Sequence, residues 1–263
     1  MSVLISYRHA EKASTFAVMT KDGKQSVLFR DLGQLDYRSA WDLQEQLLAS
    51  NSEVKRMRVA AQVNDTSDVL QETTHHLLFV EPPPVYTLGK SGNEENVLIG
   101  EKERTEKGIA FFRTNRGGDI TFHGPGQIVG YPILDLERFY TDIGLYLRNI
   151  EQVIINVMAT YGLKGERSEG ETGVWLDPTI KGKERKICAI GVRCSRWITM
   201  HGFAFNVNTD LSYFQRIIPC GIPDKQVTSL QKELGKELDL TEVKQKVKEK
   251  FAEVFNVHLD EQI

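Results

Sequence analysis

IAFFRTNRGGDITFHGPGQIVGYPILDLERFYTDIGLYLRNIEQVIINVMATYG, residues 109–162, decides the fold class of this chain. Residues 109–114 and 128–134 are short apolar runs bounded by turn-forming residues, and they read as strands. Between them lies RGGDITFHGPGQ, Arg116 to Gln127, with four glycines and a proline and little to bury. After the second strand Asp142 stands as an N-cap. Ile143, Tyr146, Leu147, Ile150, Val153, Ile154, Val157 and Met158 then follow helical spacing, and Gly162 supplies a stop. Strand, glycine loop, strand and helix in succession point to a sheet covered by helices.

The same pattern continues outward. Upstream, Ser26 to Asp31 reads as a strand, and Asp36 as the N-cap of a helix with Tyr37, Ala40, Trp41 and Leu48 on one face. Residues 75–81 read as a buried strand ended by Pro82, Pro83 and Pro84. The polar stretch Gly89 to Gly108 reads as a long loop, and long loops often carry function. Downstream, strands are expected near 173–176, 186–192 and 198–207, with 177–185 as a polar hairpin. Thr228 and Gln231 fit a capping box. A last helix places Val243, Val247, Phe251, Val254 and Phe255 on one face. The expectation is an α/β protein of the α+β type: one domain over residues 27–258, a mixed sheet with packed helices, and an extension over 1–26.

Composition narrows the function. The chain has 263 residues, 40% apolar and 26% charged, with a formal net charge of -3. No strong basic field exists for nucleic acid, so no nucleic-acid partner is expected. Three cysteines, Cys188, Cys194 and Cys220, are too few and odd in number for a disulfide framework. No apolar leader opens the chain and no run of about 18 apolar residues occurs, so neither secretion nor a membrane span is expected. A reducing, cytoplasmic compartment is the simplest reading. No metal set emerges either. His75 and His76 are adjacent and would face opposite sides of a strand, and neither CxxC nor HExxH is present.

Four segments could carry chemistry. In Arg116 to Gln127 the glycines allow close backbone approach, and successive N–H groups can cradle a carboxylate, phosphate or oxyanion. Arg116, Thr121 and His123 would add donors. The spacing fits neither a Walker loop nor a dinucleotide loop. Cys220 sits in IIPCGI between a proline and a glycine, a loop setting that suits a nucleophile. Cys188 lies inside an apolar run and reads as structural, as does Cys194. Lys186 opens a strand that otherwise looks buried; an ammonium there favours a neighbouring thiolate, although a snorkelling strand-end lysine gives the same pattern. In HGFAFNVNTDL, residues 201–211, Gly202, Phe203, Ala204 and Phe205 alternate small with large, as in a strand lining a groove or an ordinary sheet strand. His201 alone reads more readily as a structural histidine than as a catalyst.

Taken together, RGGDITFHGPGQIVGYPILDL, KICAIGVR, HGFAFNVNTDL and IIPCGIPDKQVTSL, with DLGQLDYRSAW and EPPPVYTLGK, resemble the lipoyl(octanoyl) transferase family over about residues 27–235. The resemblance implies a fold similar to the catalytic domain of biotin and lipoate ligases. It implies that Cys220 attacks the octanoyl thioester of acyl carrier protein, and that Lys186 lowers the Cys220 pKa and shuttles protons. The acyl group would then pass to a lysine on a lipoyl domain of a 2-oxoacid dehydrogenase or on the glycine cleavage H protein. The implied substrate-binding residues are Arg116, Gly117, Gly118, Asp119, Ile120, Thr121, Phe122 and His123, then Ala189, Ile190 and Gly191, then Gly202, Phe203 and Ala204. No cofactor is implied, and a monomer is expected. An ATP-dependent lipoate–protein ligase is the nearest alternative. A non-catalytic acyl-binding protein and a cysteine hydrolase with His123 or His201 as base are more distant ones.

Overall fold

The computed structural model describes residues 23–63, 71–218 and 226–262. Cys220 and the rest of the PCGI segment lie outside the described residues, as does most of the expected N-terminal extension. In chain order the elements are β1 Gln25–Gln34, α1 Tyr37–Val63, β2 His75–Glu81, β3 Val85–Leu88, α2 Glu101–Glu106, β4 Ala110–Arg113, β5 Ile120–His123 and β6 Gln127–Ile133. There follow α3 Ile143–Ala159, β7 Val174–Leu176, β8 Arg185–Ser195, β9 Ile198–Asn206, β10 Gln226–Val227, α4 Leu230–Leu234, α5 Leu240–Phe255 and β11 Val257–Glu261.

The main sheet runs β10-β8-β9-β6-β2-β1-β11, with β7 on the side of β8. It is mixed, as expected. β1 pairs parallel with β2 and β11, and β10 parallel with β8. The pairs β2–β6, β6–β9, β8–β9 and β7–β8 are antiparallel. A second sheet, β4-β3-β5, carries a small core of its own.

The apolar faces read from the sequence are the faces that pack. Asp142 accepts the Leu145 N–H at 2.9 Å to start α3. Ile150, Val153, Ile154, Val157 and Met158 then bury against one face of the sheet, joined there by Val243, Val247, Phe251 and Phe255 of α5. Each such side chain contributes about 1.5–3 kcal/mol on leaving water. α1 covers the other face. Asp36 caps it by accepting the Ser39 N–H at 3.0 Å, and Tyr37, Ala40 and Leu48 are buried. Asn51 ties this helix to the start of β2, exchanging two hydrogen bonds with the Thr74 backbone at 2.7 and 2.8 Å.

Three expectations need correction. The stretch 89–108 is not featureless: a 3-10 turn spans Glu94–Asn96, and α2 follows. α2 buries none of its residues, so it carries no apolar period; its signal is Glu101 and Glu103 at the positive end of the helix dipole. The glycine loop is shorter than 116–127, because Ile120–His123 pairs with β3 as a strand. Thr228 is not a cap. Its N–H donates to the Lys186 carbonyl at 2.9 Å and its hydroxyl to Glu233 at 2.5 Å, so the cap falls to Ser229, which accepts the Lys232 N–H at 3.2 Å. β11, unanticipated, extends the sheet beside β1.

Candidate active site

A bulge aims Lys186. Across β7 and β8, Trp175 pairs with Lys186 but Val174 pairs with Cys188, so β8 carries one extra residue there. Ile187 and Cys188 consequently both enter the α3/α5 core, while Lys186 and Ala189 both line the cavity. Bulges commonly re-aim a side chain in this way beside a functional site. The Lys186 ammonium lies 4.5 Å from the centroid of the Trp175 ring, a cation–π contact.

The strand carrying Trp175 is anchored from below. Glu151 on α3 is fully buried; it accepts the Gly173 N–H at 3.0 Å and pairs with Arg148 at 2.7 Å and Arg167 at 2.9 Å. Gly173 adopts φ 126°, and a Cβ there would stand 2.6 Å from the Cys188 carbonyl oxygen. On the other side of β8, β10 pairs Val227 with Lys186. The chain leaving the segment 219–225 therefore re-enters the sheet next to this lysine.

The glycine loop closes over the edge of β8, where the Gly117 N–H donates to the Val192 carbonyl at 2.9 Å. Arg116 is a pin of this loop and not simply an outward donor. Its guanidinium donates to the Thr87 carbonyl at 2.5 Å, the Thr87 hydroxyl at 3.0 Å and the Gly117 carbonyl at 2.9 Å. Asp119 accepts from Ile120 N–H at 2.7 Å and Asn96 Nδ2 at 2.5 Å, which ties the loop to the 3-10 turn.

His123 is committed on both ring nitrogens, contrary to its expected part as a free donor. Gln127 Nε2 donates to the Phe122 carbonyl at 3.2 Å and to Asn206 Oδ1 at 2.8 Å, so its Oε1 is the acceptor for His123 Nδ1–H at 2.9 Å. His123 Nε2 then accepts from the Thr87 hydroxyl at 3.2 Å. Asn206 Nδ2 in turn donates to the Thr228 carbonyl at 3.0 Å. One buried chain of hydrogen bonds thus runs from Arg116 to the residue that follows β10. Burial, reinforced by the Arg116 charge, pushes the His123 pKa down to about 4, and burial pushes His201 down to about 3. Both imidazoles are neutral at pH 7.

These elements enclose a cavity of about 600 Å³. Of the residues singled out by sequence, Lys186, Arg116, Gly117, Gly118, Asp119, Ile120, Thr121, His123, Ala189, Ile190, Gly191, Gly202, Phe203 and Ala204 all line it. Phe122 does not. Strand alternation turns it into the small core, where its ring stacks on Tyr213 at 4.4 Å and meets Tyr86 at 5.7 Å. Sequence reasoning missed Tyr37, Val129 and Tyr131, which looked like core, and Ile143 and Leu147, which belong to the apolar stripe of α3. Cys188 is fully buried, and burial raises its pKa far above that of an ordinary thiol; Cys194, half-buried, is raised too. Neither has the setting of a reactive thiolate. Among the described residues no group of three or more His, Cys, Asp or Glu could hold a metal ion, and no helix is long and apolar enough to cross a membrane.

Known proteins are similar to this chain in sequence and in fold. The family model for the lipoyl protein ligase A/B catalytic domain matches residues 36–252. An octanoyltransferase of Christiangramia forsetii is 54% identical over 238 residues, 89% of this chain and 98% of that protein. One from Flavobacterium psychrophilum is 53% identical over 233 residues, 88% and 97% of the two chains. Among solved structures, a bi-partite lipoate protein ligase from Thermoplasma acidophilum superposes with a TM-score of 0.62 at 16% identity, covering 90% of this chain and 86% of that one. A lipoate-protein ligase A bound with ATP gives 0.62 at 15% identity, covering 90% and 87%. At such identities the two ligases speak for the fold, as the resemblance had implied, and the sequence relatives for the branch. The chain belongs to the lipoyl protein ligase A/B catalytic-domain family and, within it, to the octanoyltransferases.

Proposed function

We propose that this enzyme moves an octanoyl group from acyl carrier protein to the ε-amine of a lysine on a lipoyl domain, or on the glycine cleavage H protein, through a thioester on Cys220. The observation that carries the reading is the cavity itself: small and apolar along β8 and β9, with Lys186 at one end, beside the point where the chain returns from the segment holding Cys220.

The chemistry balances without an external energy source. The Cys220 thiolate adds to the thioester carbonyl, the tetrahedral oxyanion collapses, and the carrier thiolate leaves and takes a proton. Lys186 favours the attacking thiolate and can hold and return that proton. The acceptor amine then adds to the acyl-enzyme, loses a proton and expels Cys220. The first step exchanges one thioester for another, and the second forms an amide downhill, so ATP has no part. Both half-reactions use one cysteine in turn, which gives ping-pong kinetics. Cys188 and Cys194, with raised pKa values, leave Cys220 as the thiol suited to the task. We further propose that the enzyme works as a cytoplasmic monomer.

The ligase reading retains the fold but needs ATP and no cysteine. Intact-protein mass spectrometry after mixing with octanoyl-acyl carrier protein, without ATP, separates the two, with Cys220→Ser as control. A gain of one octanoyl mass on the wild type alone, labile to hydroxylamine and discharged by an apo-lipoyl domain, is expected. No gain, or equal gain on the control, would remove Cys220 as nucleophile.

A further inference from the structure

The end of the cavity away from Lys186 is built around His201. This residue sits in β9 with φ 58°, in the left-handed region that a non-glycine residue adopts only when its surroundings hold it there. Gln44 Oε1 accepts its backbone N–H at 2.8 Å. Its Nε2 lies 2.7 Å from Asn115 Oδ1, and Asn115 Nδ2 donates to Glu45 at 2.9 Å. That second bond orients the amide, so Nε2 carries the proton. The Trp41 ring stands 6.0 Å away. His201 is 2% exposed, and with the equally buried Tyr37 and Tyr131 it closes this part of the cavity.

The floor leading to it has a definite length. On the cavity face of β8 and β9, two successive cross-strand pairs are small, Ala189 with Ala204 and Gly191 with Gly202. The next pair on that face, Arg193 with Met200, ends the smooth surface, and the Arg193 guanidinium is tied to Glu45 at 2.9 Å. Two pairs, each covering two residues, give about 13 Å of strand. An extended eight-carbon acyl group is about 10 Å long, and a sixteen-carbon group about twice that.

We propose that His201 is a specificity-determining residue, the stop that closes the acyl channel opposite Lys186 and sets the accepted length near eight carbons. The proposal rests on the acyl-transfer reading of the site. A longer chain would press methylenes into a corner of hydrogen-bonded groups, the buried His201 and Arg116 and the half-buried Asn115, and displace bonds it cannot replace. The left-handed backbone is the means by which a strand residue turns its ring into this corner. Glycine would take the same backbone without strain and leave the corner open.

The test is transfer of six- to sixteen-carbon acyl groups from acyl carrier protein to a lipoyl domain, read by intact mass, for wild type, His201→Gly and His201→Asn. Both replacements tolerate a left-handed backbone. The wild type should favour eight carbons over fourteen by about 10- to 200-fold, and the glycine variant should lose most of that preference, with asparagine between them. An unchanged length profile in a folded His201→Gly or His201→Asn would overturn the proposal. Displacement of a fluorescent fatty acid from the wild type reads the stop without turnover, and equal affinity for eight and fourteen carbons would overturn it too. A wild type that transfers no octanoyl group would instead sink the acyl-transfer reading, so the two failures are distinguishable.

Discussion

The Lys186 ammonium rests 4.5 Å from the centroid of the Trp175 ring, and the two residues are register partners across β7 and β8. The indole is 2% exposed, so the lysine is held against a buried surface and not a mobile one. This contact and the bulge beside it keep the amine on the cavity face. Trp175→Leu should remove about 0.5–2 kcal/mol of cation–π attraction. It should also slow acyl-enzyme formation about tenfold, whereas Trp175→Phe, which keeps a ring, should slow it far less. Rapid-quench measurement of the first half-reaction checks this; equal rates in both variants would show that the ring does not position the amine.

Gln127 is the junction of the buried chain between the glycine loop and β10. Gln127→Leu would leave His123 Nδ1–H and Asn206 Oδ1 without their partners. Each orphaned group costs about 1–3 kcal/mol, so a loss of about 2–6 kcal/mol is expected. Urea denaturation measures it, and a loss below about 1 kcal/mol would mean that the chain relaxes onto other partners.

Four histidines make stability depend on pH. Burial pushes His75, His76 and His123 down to about 4 and His201 to about 3. In the unfolded chain a histidine titrates at about 6.5. Between those values the unfolded state binds more protons than the folded one, so stability rises with pH. The contribution is complete above about pH 6.5 and is lost as the pH falls toward about 4, by about 1.4 kcal/mol per unit for each group. Urea midpoints should be flat from pH 7 to 8 and fall steeply from 6.5 to 4.5. Midpoints independent of pH over that lower range would be at odds with neutral buried imidazoles.

Gly202 and Gly191 are cross-strand partners that should respond differently to a methyl group. At Gly202 a Cβ would stand 2.1 Å from the Gly130 carbonyl oxygen, a backbone atom that cannot swing away. Gly202→Ala should cost about 3 kcal/mol or more. At Gly191 the nearest atoms are the Gly117 oxygen at 2.9 Å and Arg116 Cδ at 3.1 Å, both on the loop over the site. Gly191→Ala should fold, displace that loop and lower transfer about 10- to 100-fold. Melting curves and transfer assays on the two variants decide, and the reverse ranking would refute the argument.

Much of this was legible in the chain. Asp36 and Asp142 cap the helices assigned to them, and the stripes on α3 and α5 pack where their spacing put them. Those features depend on neighbours three or four residues apart. α2 was not legible because it buries nothing, and Phe122 was misplaced because the strand that turns it away exists only through pairing with β3. Thr228 looked like a cap until the carbonyl of Lys186, forty-two residues earlier, claimed its N–H.

By itself, the sequence determined the order of the long strands and of helices α1, α3 and α5, their apolar faces, the presence of the glycine-rich segment and the membership of the family, because each rests on local spacing or contiguous motif. The tertiary structure alone decided three things: that the bulge opposite β7 aims Lys186 into the cavity, that Arg116 and His123 hold the loop through Thr87 and Gln127, and that His201 is turned by a left-handed backbone into the closed end. The physical reason is the same in each case. Register, bulges and buried hydrogen bonds are set by pairing between residues far apart in the chain, and a one-residue shift in pairing reverses which side of a strand every side chain faces.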